Sequence, residues 1–444
     1  MTSTADPVPG STLSGPPAGG LDEAERHRLQ SRTLRVLMGS QVFGGMGLVA
    51  GYIPAALLAK EITGNATLAG LAAAMLSVGT TTASFPLASY MHRYGRRPGL
   101  RSGYLIALVG AIAAFGAAVT SFYPLLLVGV VLIGTGNACN LAARYAAADL
   151  ATDERRASSI SVIVWATTIG SASGSWVALA VATSVALSIG LPELGGPYVL
   201  SAGVFAIAAL VVHTRLRPDP LVVSGGLSDE SHRHESRLAE LRRAVRLIAS
   251  RPRARLAVGA MVVSQMVMVA VMTMTPLHMD DGGQAAATIG LMMTIHILGM
   301  YAFSPVVGVL SDRFGRLPMI VVAAVLLLVG AEFAARTAPM DAPGVMIGNF
   351  LIGLGWGFGV IAGSSLLTES VALEDRVSVQ GAADLAMSGF GASGGLSAGA
   401  VVALRSYADL GRASVIVAAV LLLATAVHVL RHRDEQSTLH HVAT

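Results

Sequence analysis

The chain has 444 residues, 53% of them apolar and 13% charged, with a formal net charge of +4 and a mean hydropathy of +0.66. A soluble domain carries about 25% charged residues; here the charges are few and clumped, which leaves long apolar runs and excludes an ordinary soluble enzyme or a nucleic-acid binder. The single cysteine, Cys139, excludes an internal disulfide framework and a thiolate metal cluster.

In chain order, Met1 to Gly20 is rich in Pro, Gly, Ser and Thr, the composition of a disordered tail. It lacks the basic stretch followed by an apolar stretch that marks a cleaved signal. Residues 1–33 are expected to form a disordered cytoplasmic tail. A helix needs about 20 apolar residues to cross a bilayer, and twelve such spans follow, near 35–58, 67–90, 100–119, 123–147, 158–188, 197–213, 256–277, 286–307, 318–336, 344–367, 378–403 and 413–430. The fifth is long enough to break near Thr183. Pro54 and Pro86 fall inside spans, where helices in lipid tolerate proline. Six spans make an N-terminal half, 34–213, and six a C-terminal half, 256–430. A cytoplasmic linker, 214–255, joins them, and a second cytoplasmic tail, 431–444, ends the chain. Within the linker, "HESRLAELRRAVRLIA" places Leu238, Leu241, Val245 and Ile248 on one face, predicting an amphipathic helix on the membrane surface. With both termini inside, 26 of the 30 basic residues fall on the cytoplasmic side. Only Lys60, Arg336, Arg405 and Arg412 do not, which is the asymmetry of the positive-inside rule. The predicted fold class is an all-α integral membrane protein of the cell membrane, its twelve transmembrane helices set in two six-helix halves.

The halves repeat each other. "YMHRYGRRPG" after span 2 returns as "VLSDRFGRLPM" after span 8. Arg93 and Arg313, Gly95 and Gly315, Arg96 and Arg316, Glu154 and Glu374, and Arg156 and Arg376 are all 220 residues apart. Such internal duplication is typical of transporters. With these turns in place, the sequence resembles the major facilitator superfamily, which carries G-x-x-x-D-R-x-G-R-R between spans 2 and 3 and again between spans 8 and 9. The second copy keeps Gly308, Asp312, Arg313, Gly315 and Arg316. The first keeps Arg93, Gly95, Arg96 and Arg97 but has Ala88 for the glycine and His92 for the aspartate. The resemblance implies a latch in which the aspartate caps the positive N-terminus of a helix in the other half. Asp312 is then expected at the start of span 5, near Ser158, and His92 at the start of span 11, near Ser378. A histidine suits a helix N-terminus poorly, so the first latch is expected to be weak, and His92→Asp to tighten it.

Polar residues within the spans are functional candidates by their cost. On span 4, Asn137, Asn140 and Arg144 recur at helical spacing and share a face, which is expected to line a substrate cavity or to bond a neighbouring helix. On span 11, Asp384 lies about 12 Å of helix rise beyond Arg376, with Gln380 a turn before it. It is a candidate proton carrier, or the partner of an ion pair with Arg144. Span 5 contains Gly170 and Gly174, matching the exporter pattern G-x-x-x-G-P of the superfamily, but Ser175 replaces the proline.

Span 7 carries Met268 and Met272, and span 8 carries His296 and Met300, two pairs at helical spacing and similar depth. Thioether and imidazole are ligands for Cu(I), a soft ion. The pairs resemble those of CcoA-type copper importers within the superfamily, so the resemblance implies a copper site at Met268, Met272, His296 and Met300. Methionine also fills gaps in apolar helices. The sequence therefore leaves several functions open: copper import, proton-coupled efflux of drugs or small metabolites, transport of another solute, or a receptor or scaffold without transport. "GTGNACN" lies within a span and lacks the Gly-Lys-Ser/Thr of a phosphate loop. No catalytic triad or metalloprotease motif is visible either. No enzymatic activity, resident cofactor or nucleic-acid partner is expected. The expected partners are the lipid bilayer, a small solute and protons.

Overall fold

The computed structural model describes residues 22–227 and 235–442, with 66, 67, 286 and 431–442 as backbone only. Among the described residues there is no strand. Twelve helical spans run Glu23–Thr63, Leu68–Tyr94, Arg96–Thr120, Tyr123–Ala146, Asp153–Ser188, Glu193–Val223, Pro252–Asp281, Ala287–Phe314, Arg316–Arg336, Ala342–Glu369, Leu373–Leu404 and Tyr407–Leu430. The tail expected over residues 1–33 lies outside the described residues as far as 21. From Glu23 onward it is already helix, because "EAERHRLQ" is rich in helix formers and places Glu23 and Glu25 at the positive helix start. The last helix likewise runs on to Val442, past the expected boundary at 430.

The sequence explains where several helices start and turn. Asp341 caps span 10 by accepting from Gly344 N at 3.1 Å, and prolines sit in the first turns of spans 4, 7 and 10. In the two basic turns Gly95 has φ +101° and Gly315 φ +91°, a conformation open to glycine and costly for side chains. The long fifth span changes to a π-helical stretch over Val177–Ala182 and resumes as Thr183–Ser188. Span 8 breaks between its segments Ala286–Tyr301 and Ser304–Phe314.

Each half has its own apolar core. One centres on Leu100, Tyr104, Ile133 and Phe205, the other on Met261, Ile320, Leu327 and Ile361. Val109, Ile112, Ile416 and Leu423 stay more than half exposed on the circumference, where lipid tails would cover them. The two basic turns, the linker and the starts of spans 5 and 11 lie on one side, hereafter the basic side. Hydrogen bonds and ion pairs join the halves there and at mid-membrane. The structure is thus the form closed on its basic side.

The linker helix, Arg237–Ser250, differs from expectation. Its buried face centres on Glu240 and Ala244, while Leu238 and Val245 are more than half exposed. It packs on spans 2, 7 and 11 and does not bury the predicted apolar face as a unit. Ser89, His92 and Arg93 of span 2 supply the partners that hold the Glu240 carboxylate in the buried face.

Candidate functional site

A cavity of about 160 Å³ lies between the halves at mid-membrane, comparable to one that accepts a benzene-sized ligand. Span 4 lines it with Asn137, Asn140 and Arg144, the face expected from their spacing. Span 1 adds Gln41, span 2 Thr80 and span 5 Thr167; from the other half come Gln265, Met268, Met300, Tyr301, Trp356 and Met387.

Most polar groups in the wall are already oriented. Gln41 Nε2 donates to Thr167 Oγ1 at 2.9 Å, Asn137 Nδ2 to Thr80 Oγ1 at 3.3 Å, Tyr104 Oη to Asn140 Oδ1 at 3.0 Å and Trp356 Nε1 to Gln265 Oε1 at 2.7 Å. Among the buried side-chain atoms of the described wall residues, two have no protein partner, Gln41 Oε1 and Asn140 Nδ2. One accepts and one donates.

Arg144 and Asp384 join the halves. Arg144 Nη2 lies 2.5 Å from Asp384 Oδ1, and both side chains are buried. Arg144 Nε also donates to Ser364 Oγ at 3.1 Å, and Nη2 to Tyr145 Oη at 3.2 Å. Ser364 is the residue that the 220-residue repeat pairs with Arg144, so the two meet where the halves face each other across their pseudo-symmetry. Gln380, a turn before Asp384, accepts from Arg96 Nη2 at 2.8 Å and donates to Thr368 Oγ1 at 3.2 Å.

The four residues expected to hold copper are divided between the cavity wall and the helix packing around it. Met268 and Met300 are in the cavity wall, but Met272 and His296 are not. His296 is fully buried against span 10, its Nδ1 donating to the Asn349 carbonyl at 2.7 Å, with Nε2 unpartnered. Helical spacing places a residue around its own axis. It does not say which neighbour that face meets, and span 8 packs mainly on span 10. Among the described residues, no three His, Cys, Asp or Glu side chains gather as a metal site.

At the basic side Asp312 sits on the start of span 5. It accepts from Ala157 N at 3.0 Å, Ser158 N at 2.8 Å and Ser158 Oγ at 2.5 Å, and its neighbour Arg316 holds it at 2.8 Å. His92 does not face the amides near Ser378. Its Nε2 lies 2.7 Å from the Glu374 carbonyl and its Nδ1 3.1 Å from Glu240 Oε1 of the linker helix. Burial pushes the Glu240 carboxyl up, but the bonds from His92 and Ser89 and the charges of His92 and Arg93 outweigh it and hold it below its ordinary value. Arg93 reaches the same carboxylate at 3.5 Å, whereas Arg313 is exposed. Arg97 is turned back within its half, donating to the His213 carbonyl at 2.9 Å.

Sequence reasoning missed two acids. Arg96 pairs with Asp149 at 2.8 Å and Arg316 with Glu369 at 2.9 Å, each pair 53 residues apart. Asp149 and Glu369 are themselves separated by the 220-residue repeat, the signal that would have found them. Ala88, the departure from the motif glycine, is also explained. Gly308 lies against Ser158 and Ser161 of span 5, whereas Ala88 lies against Gly381 of span 11. Gly381 is the repeat counterpart of Ser161, so at the first interface the glycine stands on the opposite helix.

The sequence profile of the Major Facilitator Superfamily matches residues 36–287 and 256–442. The chain belongs to this superfamily of multi-pass membrane transporters. It is 35% identical over 423 residues, 94% of this chain and 96% of the other, to the uncharacterized MFS-type transporter YddS of Bacillus subtilis strain 168. To YdeG of the same organism it is 37% identical over 386 residues, covering 85% and 87%. To the riboflavin transporter RfnT of Brucella anthropi it is 26% identical over 352 residues, covering 78% and 83%. Among solved structures it is similar to the human organic anion transporter MFSD10, with a TM-score of 0.71 at 15% identity, covering 89% of this chain and 99% of that one.

Proposed function

We propose that the protein carries a small polar organic solute by alternating access, with the Arg144–Asp384 pair coupling solute to protons. The observation that carries this reading is a buried ion pair between the halves, whose Arg144 stands in the wall of a cavity lined by amides, hydroxyls and aromatic rings. Protonating Asp384 removes its charge, weakens its hold on Arg144 and makes the guanidinium available to an acceptor group on the solute. Gln41, Asn137 and Asn140 add amides to the same wall. The relative named as a riboflavin transporter supports an organic cargo. The basic side, by the distribution of arginines, faces the cytoplasm of the cell, and Asp312 latches it by capping span 5. A second reading, copper, keeps the support of Met268 and Met300, two thioethers in one cavity.

Proteoliposomes with an imposed pH gradient test this. Organic anions, sugars, riboflavin and Cu(I) are offered in turn. The reading expects gradient-driven accumulation of an organic solute that Asp384→Asn abolishes, with solute exchange retained. Uptake of Cu(I) alone, lost in Met268→Leu, Met300→Leu, would replace it with the copper reading.

A further inference from the structure

We propose that the linker helix is a working part of the basic-side gate, with Glu240 as the residue that lets His92 stand where the second half has Asp312.

The two interfaces related by the repeat are closed by different chemistry. At the second, a carboxylate, Asp312, meets two backbone amides at the start of span 5. At the first, the side chain is a histidine, and what it meets is a carbonyl, Glu374 O, at 2.7 Å. A carbonyl needs a donor, so an aspartate would be wrong there. The start of span 11 also carries Asp375 where span 5 has Arg155, which makes this corner acidic. The other ring nitrogen of His92 then faces Glu240, whose side chain is only 3% exposed. Glu240 also accepts from Ser89 Oγ at 2.5 Å and from Arg93 at 3.5 Å.

A buried carboxylate survives only with several partners, and these come from span 2. One helical turn further along the linker helix, Arg243 binds Asp375 of the span 11 turn and Glu235 at 3.3 Å. The helix thus grips span 2 through Glu240 and the span 11 turn through Arg243. Spans 2 and 11 belong to opposite halves, and they must separate if the basic side opens. The clasp therefore stabilises the closed form, and Glu240 acts as a positioning residue through His92. The first latch, expected to be weak, is completed by a third element. The geometry also reverses the expectation for His92→Asp: it would place two carboxylates in one buried site and repel where the histidine attracts.

This rests on alternating access, and the experiment separates the two ideas. Spin labels are placed at Tyr94→Cys and Phe314→Cys, exposed basic-side positions of opposite halves, in a Cys139→Ser chain. Distances are read by pulsed electron resonance in nanodiscs. Asp312→Asn is the control for alternating access. Glu240→Gln and His92→Asp are each expected to raise the ratio of open to closed populations about tenfold, the effect of one bond to a charged group. His92→Asp, Glu240→Gln should be less open than His92→Asp alone, because one carboxylate is gone, and more open than the parent, because the carbonyl of Glu374 still lacks its donor. Arg243→Gln, at the rim, should open in the same direction and serves if Glu240→Gln folds poorly. If Asp312→Asn opens the basic side while Glu240→Gln and Arg243→Gln keep the parent distances, the clasp is refuted and alternating access stands. If no variant, Asp312→Asn included, moves the labels, both are refuted. A double variant as open as His92→Asp alone also overturns the clasp.

Discussion

Arg144 shows how a single residue is read at two levels. Its spacing from Asn137 and Asn140 put it on the cavity face, and that much needed only the helical period. Its partner, Asp384, is 240 residues away, and only the packing of the halves chose it over solvent or substrate. A buried pair broken on one side costs about 3–5 kcal/mol, since the remaining charge stays in a low dielectric. Asp384→Asn should therefore lower the midpoint of thermal unfolding in detergent, and Arg144→Gln, Asp384→Asn should recover part of the loss. A double variant no more stable than the single one would contradict this account. Met268 tests the cargo. Leucine nearly conserves its volume, so Met268→Leu should transport an organic solute within about twofold of the parent, measured in proteoliposomes. A complete loss would favour sulfur ligation.

At the scale of elements, the contact between spans 5 and 8 depends on the absence of a side chain. A Cβ at Gly308 would lie 2.9 Å from Ser158 Cα and overlap Ser161. Gly308→Val should keep the basic ends of spans 5 and 8 apart, raising the labelling rate of a thiol placed at Ser158 severalfold. Ala88→Val should do the same at the spans 2 and 11 contact, because Gly381 there has no room to give. Unchanged labelling in both would mean that the closed contact is looser than this packing. The Gly/Ala exchange between the two contacts could be read from the sequence once Ala88, Gly381 and the repeat were considered together. The linker helix could not be read so. Its apolar period pointed at lipid, but the buried residues are Glu240 and Ala244, because span 2 and the span 11 turn supplied partners that no local pattern shows.

For the whole molecule, closure on the basic side is the quantity to measure against pH. Glu240 has its carboxyl held below the ordinary value. A depressed carboxyl contributes stability above its unfolded value, about 4.3, and loses it as pH falls through the lower folded value. The Glu240 contribution to closure should be present above the ordinary carboxyl value and be lost as pH falls through the lower folded one. Label distances in the parent should then open on strong acidification, with a step that Glu240→Gln lacks. A step of equal size in both would assign the acid response to other carboxylates.

What the sequence determined by itself was the number of spans, their grouping into two repeats and the positions of the turn glycines. These depend on apolar length, on a fixed offset and on backbone sterics, all local or additive along the chain. The wall position of Asn137, Asn140 and Arg144 followed from the same period. The tertiary structure alone decided where His296 points, which of the four copper candidates reach the cavity, and that His92 meets Glu240 and a carbonyl in place of helix amides. Those outcomes depend on which helix lies next to which. A helix's own period states how much of each face is buried, but carries no information about the atoms on the other side.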